Sequence, residues 1–395
     1  MSFGVITGSG DLYVSNPKNL LNMSIYTNMI SFIVIFYFGY NSLLPAGMEK
    51  TTAEKIESHI QQYVKNEDFR GTILVAKNGN VIHKAAYGYA DETRKVVNET
   101  ETQYLIGSLT KSFTAVTVMQ MVEDDLLDLH TPIRTYVPRL KKALGKDLTL
   151  HLLLKHQSGL PGHLERLIEF ENKDISSDEI LEIINTSRLA FSPGSRYQYS
   201  NLNYHLVAIV IERVSGQSYP QVLQERTFGP LNMRDSGVER LSNVPQQRAK
   251  GYRKNRREIV QDENIVSYAL GSGDIYSTVD DLLKWDQALY GTELLSESSK
   301  KTLFSGENET FGNYGYGFRI QQYQRNPEIS SRGVLARHGG SMNGFLSNLH
   351  RYLDDKLTVI VLSNFRPFPI RNLTFELKEI SVGVAVGERN RKKFE

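Results

Sequence analysis

Residues Ser108–Leu126 read SLTKSFTAVTVMQMVEDDL, and the fold follows from what this stretch demands of its surroundings. Ala115, Val118, Met119, Val122 and Leu126 recur at helical spacing, which predicts a helix buried along that stripe. Ser108 and Lys111 stand three apart at its start and so share one face. A serine hydroxyl is a poor nucleophile until a base takes its proton. A lysine taken out of water can lose its charge and become that base, or stay charged and depress a neighbour's pKa. The positive end of the helix dipole also favours negative charge developing near Ser108. Alone, Ser-x-x-Lys is a weak signal, and a helix cap followed by a surface lysine is its commoner source.

Working outward, residues 50–65 carry Ile56, Ile60 and Val64 at helical spacing, which predicts an amphipathic helix. Gly71–Ala76 (GTILVA) and Val81–Tyr87 (VIHKAAY) flank Asn78-Gly79, a pair that supplies the two positive φ angles of a tight hairpin turn. Phe345–Leu353 and Lys356–Asn364 flank Asp354-Asp355 as a second hairpin, and Tyr316–Gln321 is a further strand candidate. Roughly residues 108–300 have mostly helical patterning. An α/β (α+β) fold is expected: an antiparallel sheet built from both ends of the chain, flanked by helices, with an all-helical region at about 115–265 inserted. One domain should span 50–385.

Two further motifs change the weight of Ser108 and Lys111. Tyr199-Ser200-Asn201 follows a Pro193-Gly194 turn and precedes a helical pattern over Tyr204–Val214. His338-Gly339-Gly340-Ser341 lies just before the strand candidate at Phe345. The order Ser-x-x-Lys, Tyr-x-Asn, His-x-Gly resembles the serine β-lactamase and penicillin-binding protein superfamily, in its class C β-lactamase, D-Ala-D-Ala carboxypeptidase and esterase branch. Leu152–Pro161 (LLLKHQSGLP), Pro193–Tyr219, Ser272–Trp285 and His338–Phe345 (HGGSMNGF) extend the likeness, which covers about residues 54–385.

That resemblance implies a β-lactamase-like fold and a set of roles. Ser108 would be the acylated nucleophile, while Lys111 and Tyr199 would share proton transfer, Tyr199 being the expected base in acylation. Asn201 would hydrogen-bond the substrate amide and hold Lys111. His338 takes a place usually held by Lys or His, and the backbone N–H groups of Ser108 and Ser341 would form the oxyanion hole. Asn343 would touch a substrate carboxylate, and His163 falls where a substrate-contacting Gln is frequent. The implied activity is hydrolysis of D-amino-acid peptides, β-lactams or related amides and esters, by a small-molecule or peptide substrate route without a cofactor. An esterase on the same site, or a penicillin-binding protein that acylates without turning over, are the alternatives. The third motif departs from Lys-Thr-Gly and His-Thr-Gly, since its middle residue is Gly339. The expected consequence is loss of a hydroxyl that binds a carboxylate, and so a shift toward uncharged substrates.

Composition excludes several rivals. Lys plus Arg is 46 and Asp plus Glu is 44, a balance that argues against a nucleic-acid partner. The absence of cysteine excludes disulfides, thiolate metal sites and cysteine nucleophiles. No His-Glu-x-x-His occurs, so no metal is expected. Gly271-Ser272-Gly273-Asp274 lacks the Lys-Ser/Thr of a phosphate loop and is expected to be a tight turn. Between Lys18 and Glu49 no residue is charged, and Met29–Ala46 (MISFIVIFYFGYNSLLPA) is apolar with few interruptions. A transmembrane or signal-anchor segment at 25–47 is therefore expected, after a tail at 1–24, with the domain outside the cytoplasm in the cell envelope. Residues 386–395 should be a charged, solvated tail.

Overall fold

The computed structural model describes residues 49–384 and 386, except 165, 166, 257, 327 and 328. The expected tail and membrane segment at 1–24 and 25–47, and the charged tail beyond Val386, lie outside the described residues. Among the described residues no helix is long and apolar enough to cross a membrane.

Helix α1 (Thr52–Glu67) buries Ile56, Ile60 and Tyr63. Strands β1 (Gly71–Lys77) and β2 (Asn80–Tyr87) follow as the expected hairpin, with φ of 52° at Asn78 and 76° at Gly79. Helix α2 (Thr110–Glu123) and helix α3 (Asn201–Ser215) belong to the central part of the chain. The C-terminal part gives β3 (Arg319–Asn326), β4 (Ile329–Met342), β5 (Phe345–Tyr352), β6 (Leu357–Ser363) and helix α4 (Ile370–Ser381). These strands form one sheet in the order β3-β4-β5-β6-β1-β2, each neighbour antiparallel.

Period-2 alternation splits the sheet's side chains between two cores. Ile73, Val75, Val359 and Val361 pack with Ile60, Leu373 and Leu377 of α1 and α4. Leu74, Ala76, Ile360 and Leu362 face the helical layer that contains α2 and α3. This is why β6 (LTVIVLS) is buried at every position. Asp286, in the helix Val279–Ala288, ties that layer to the sheet: it pairs with Arg351 of β5 at 2.5 Å, and both side chains are fully buried.

Three expectations change. The inserted region is not all-helical: Gly251–Asn255 and Glu258–Asp262 form an antiparallel hairpin there, joined to Phe365–Arg366. The strand expected at Tyr316 starts at Arg319, and Tyr314 and Tyr316 are core residues, 0% and 1% exposed. His338–Ser341 does precede the strand at Phe345 but is itself strand, the end of β4, with His338 opposite Leu349 and Gly339 opposite Asn348.

Candidate active site

Ser108 lies in a 3₁₀ turn, Gly107–Leu109, that runs directly into α2. Helix α2 is buried almost all round, well beyond the expected stripe: Lys111, Ser112, Thr114 and Thr117 are each fully buried, whereas Leu126 is exposed. Its hydroxyls return to carbonyls, Ser112 to Leu109 at 2.8 Å and Thr117 to Phe113 at 3.0 Å, so few are left without an acceptor. The end of β4 presses against the 3₁₀ turn. A Cβ on Gly107, whose φ is +50°, would stand 2.7 Å from Ser341 N, and one on Gly340 would collide with the Ile106 carbonyl. Only glycine at these two positions lets the backbone of Ser341 lie beside that of Ser108.

Lys111 Nζ donates to Ser108 Oγ at 3.0 Å and to the Ser272 carbonyl at 2.8 Å. Burial drives its pKa well below the ordinary 10.5, against the pull of Asp274, which raises it. The amine lies 5.0 Å from the centre of the Tyr199 ring. The Tyr199 hydroxyl interacts with Ser108, but burial carries its pKa far above the usual tyrosine range despite that bond and Arg319. The two candidate bases are therefore unequal: the amine is inclined to be neutral and the phenol to keep its proton.

Tyr199-Ser200-Asn201 is held by His156. His156, at φ +59°, accepts from the Ser200 backbone N–H through Nδ1 at 3.1 Å. Its ring lies 4.3 Å from that of Tyr199. Burial, before any charge on neighbouring groups, lowers its pKa well below 6.5. With Nδ1 accepting, the proton sits on Nε2, which is buried and has no hydrogen-bond partner.

A cleft of about 400 Å³ opens over this floor, lined by Ser108, Tyr199, Asn201, His163, Ser341 and Asn343. The structure thus brings six of the eight expected site residues to one cavity. Asn201 does not hold Lys111, as expected; its Nδ2 meets His163 Nδ1 at 3.0 Å, its Oδ1 has no partner, and the Ser272 carbonyl holds the amine instead. Asn343 is tied by its amide to the Glu263 carbonyl at 3.1 Å, so that donor is engaged by a loop. Lys111 sits beneath the cleft floor, reaching it through Ser108.

His338 does not face the cleft. It is 3% exposed, its Nδ1 meets the Gly339 carbonyl at 2.7 Å, and its Nε2 meets the Tyr314 hydroxyl at 2.8 Å. Burial and Lys111 hold its pKa well below 6.5, so mild acid does not charge it. Gly339 is corrected with it. A Cβ there would stand 2.5 Å from Asn348 Oδ1, and Asn348 Nδ2 in turn donates to Thr374 of α4 at 3.0 Å. Residue 339 therefore points to the α4 side of the sheet, and its missing hydroxyl says nothing about substrate charge.

Arg366, Phe170 and Tyr268 also line the cleft and were not anticipated. Arg366 follows β6 and donates through Nη1 to the Met342 carbonyl at 3.1 Å, one residue past Ser341. Among the described residues no aspartate or glutamate lines the cleft with it. Phe170 and Tyr268 stack at 4.2 Å as an aromatic wall. An arginine and two rings far apart along the chain carry no motif, so no sequence signal marked them. Among the described residues no group of His, Asp or Glu is gathered as a metal site.

Residues 56–378 match the family model described as Beta-lactamase. Penicillin-binding protein 4* of Bacillus subtilis (strain 168) is 28% identical over 338 residues, covering 80% of this chain and 73% of the relative. The octameric penicillin-binding protein homologue from Pyrococcus abyssi superposes with a TM-score of 0.71 at 25% identity, covering 84% of this chain and 77% of the other. D-amino acid amidase from Ochrobactrum anthropi SV3 has the same fold, with a TM-score of 0.70 at 22% identity over 84% of this chain and 96% of the other.

Proposed function

Since the chain belongs to the beta-lactamase family, we propose that it is a serine hydrolase that forms an acyl-enzyme on Ser108. The observation that carries this reading is the 3.0 Å contact between Ser108 Oγ and a buried Lys111 amine at the floor of the cleft. As the hydroxyl attacks an acyl carbonyl, its proton passes to neutral Lys111. The carbonyl π electrons move to oxygen, and that oxyanion is met by the backbone N–H groups of Ser108 and Ser341. Tyr199, holding its proton, donates to the departing amine or alkoxide, and Lys111 reprotonates it. The sequence reading gave Tyr199 the base role; burial favours the reverse assignment. Water then repeats the attack on the ester, returning Ser108.

The substrate we favour is an acyl donor carrying a free carboxylate, such as a D-amino-acid peptide or a β-lactam. The cationic Arg366, with no acid among the described residues that line the cleft, supports that choice over a neutral ester. Incubation with a fluorescent penicillin, a D-Ala-D-Ala peptide and p-nitrophenyl esters should give repeated turnover, with an adduct mapped by mass spectrometry to the peptide holding Ser108. An adduct on another residue would refute the mechanism. Stoichiometric labelling with no turnover would instead make the protein a penicillin acceptor.

We further propose that residues 29–46 anchor the chain in a membrane, because no charge interrupts Lys18 to Glu49. A chain shortened to begin at Met48 should leave the membrane fraction. Its wholesale retention there would mean that another segment anchors it.

A further inference from the structure

The turn after the helix-rich region, Gly271-Ser272-Gly273-Asp274, is nailed to the nucleophile helix at three points. Lys111 Nζ donates to the Ser272 carbonyl at 2.8 Å, Thr114 Oγ1 donates to the Gly271 carbonyl at 2.6 Å, and Ile275 N donates to Thr110 Oγ1 at 3.2 Å. What closes the turn is the Asp274 side chain. Its Oδ1 accepts from Gly271 N at 3.0 Å, and its Oδ2 pairs with Arg240 Nη1 at 3.2 Å, with the carboxylate fully buried. Nothing in the proposed reaction uses this acid. Burying a carboxylate is costly; Arg240 and the Gly271 N–H offset that cost and leave a negative charge against the segment that holds the catalytic amine.

Every other titratable group near Lys111 opposes a charge on it or is neutral. His156 from the loop after Leu154, His338 from β4 and His205 from α3 are each pushed toward neutrality by burial first and by the amine after it. The rings of Tyr199 and Tyr204 lie 5.0 and 5.6 Å away and keep their protons. The carboxylate that bears on Lys111 is Asp274. Asp274 itself faces Arg240, Lys111 and the Tyr219 hydroxyl, and burial lifts its pKa to about 6 while Arg240 draws it down. It is thus ionised at neutral pH.

We propose that Asp274 is a positioning residue for acyl transfer: it fixes the turn whose carbonyl aims Lys111, and it is the counter-charge that lets the buried amine take up the proton of Ser108. This rests on the serine hydrolase reading and adds to it. Without the counter-charge, Lys111 would be neutral but too weak a base to hold the proton it removes.

The test uses the full chain labelled with ¹³C-lysine, the Lys111 Cε signal being identified by its loss in Lys111→Arg. Asp274→Asn keeps the size of the side chain and an acceptor for Gly271 N. In it the Lys111 titration midpoint should fall by roughly one pH unit or more. The rate at which a fluorophosphonate labels Ser108 should change in step, with its acid limb moved to lower pH and its plateau reduced. Arg240→Gln, which removes the cation that holds Asp274 ionised and so favours its protonation, should move both readouts the same way by less, and it carries the test should Asp274→Asn not fold. A midpoint and acid limb that stay at their wild-type positions, even with a reduced rate, would overturn the proposal and leave Asp274 a structural acid. Failure of the wild type to label at Ser108 would refute the hydrolase reading, and the Lys111 midpoint would still decide the role of Asp274.

Discussion

Lys111→Met is expected to slow acylation of Ser108 by roughly 10²- to 10⁴-fold, the usual contribution of a positioned general base. The same change should leave the melting temperature unaltered or raise it. The amine is fully buried, and its contacts are a hydroxyl and a carbonyl rather than a carboxylate. Methionine has nearly the same length and asks for no solvation. The sign of the pH dependence follows from the lowered amine pKa. The unfolded chain binds a proton at this lysine up to about 10.5, whereas the folded chain gives it up earlier. Between those values the unfolded state holds more protons, so stability rises with pH. The lysine's cost is largest below its lowered folded value and fades toward 10.5. Lys111→Met should remove both the cost and that part of the slope. Calorimetry from pH 6 to 9 beside single-turnover acylation checks the pair of effects. A variant that melts much earlier, or acylates at the wild-type rate, contradicts the assignment of Lys111 as a buried base.

Arg366→Gln should cut kcat/KM for carboxylate-bearing acyl donors by about 10- to 150-fold, the equivalent of losing one charge-assisted hydrogen bond worth ~1.5–3 kcal/mol. Uncharged esters should be nearly unaffected, because the arginine touches neither Ser108 nor the groups that move protons. Its Nη1 is engaged with the Met342 carbonyl, which leaves the rest of its fork to face the cleft. Arg366→Lys should recover only part of the preference, since an ammonium cannot present two parallel donors. Kinetics on a matched pair of esters, with and without a carboxylate, decide it. Equal losses on both esters would mean that Arg366 braces the β4–β5 turn and reads nothing.

What could be read from the chain was whatever lies close in sequence. The Asn78-Gly79 turn, the spacing of Ser108 and Lys111 and the Tyr199-Ser200-Asn201 cluster are local patterns, and the structure places each where its pattern implied. The direction of a side chain at the end of a twisted strand is not local. Strand register decided that His338 meets Tyr314 rather than the cleft, and that residue 339 faces Asn348. The same holds for the base: burial of Tyr199 and Lys111 is a property of the assembled core, and it reversed the order of their proton affinities. Arg366 and Asp274 were invisible for another reason. Each is placed by backbone contacts, Arg366 at the Met342 carbonyl and Asp274 at the Gly271 N–H, and backbone atoms carry no residue identity to recognise.

The contact of Gly107 with Ser341 has a consequence for the newborn chain. The nucleophile's turn is synthesised early, but the strand that supplies its opposite wall arrives late, and β6 must then insert between β5 and β1 to close the sheet. Pairing partners so distant along the chain pay a large loop-closure entropy before any contact repays it, so this step should be slow and cooperative. A ribosome-bound fragment that ends before β6 holds Ser108 and Lys111 yet has no completed site. The proposed reactivity toward acyl groups should therefore appear only once translation has delivered almost the whole domain.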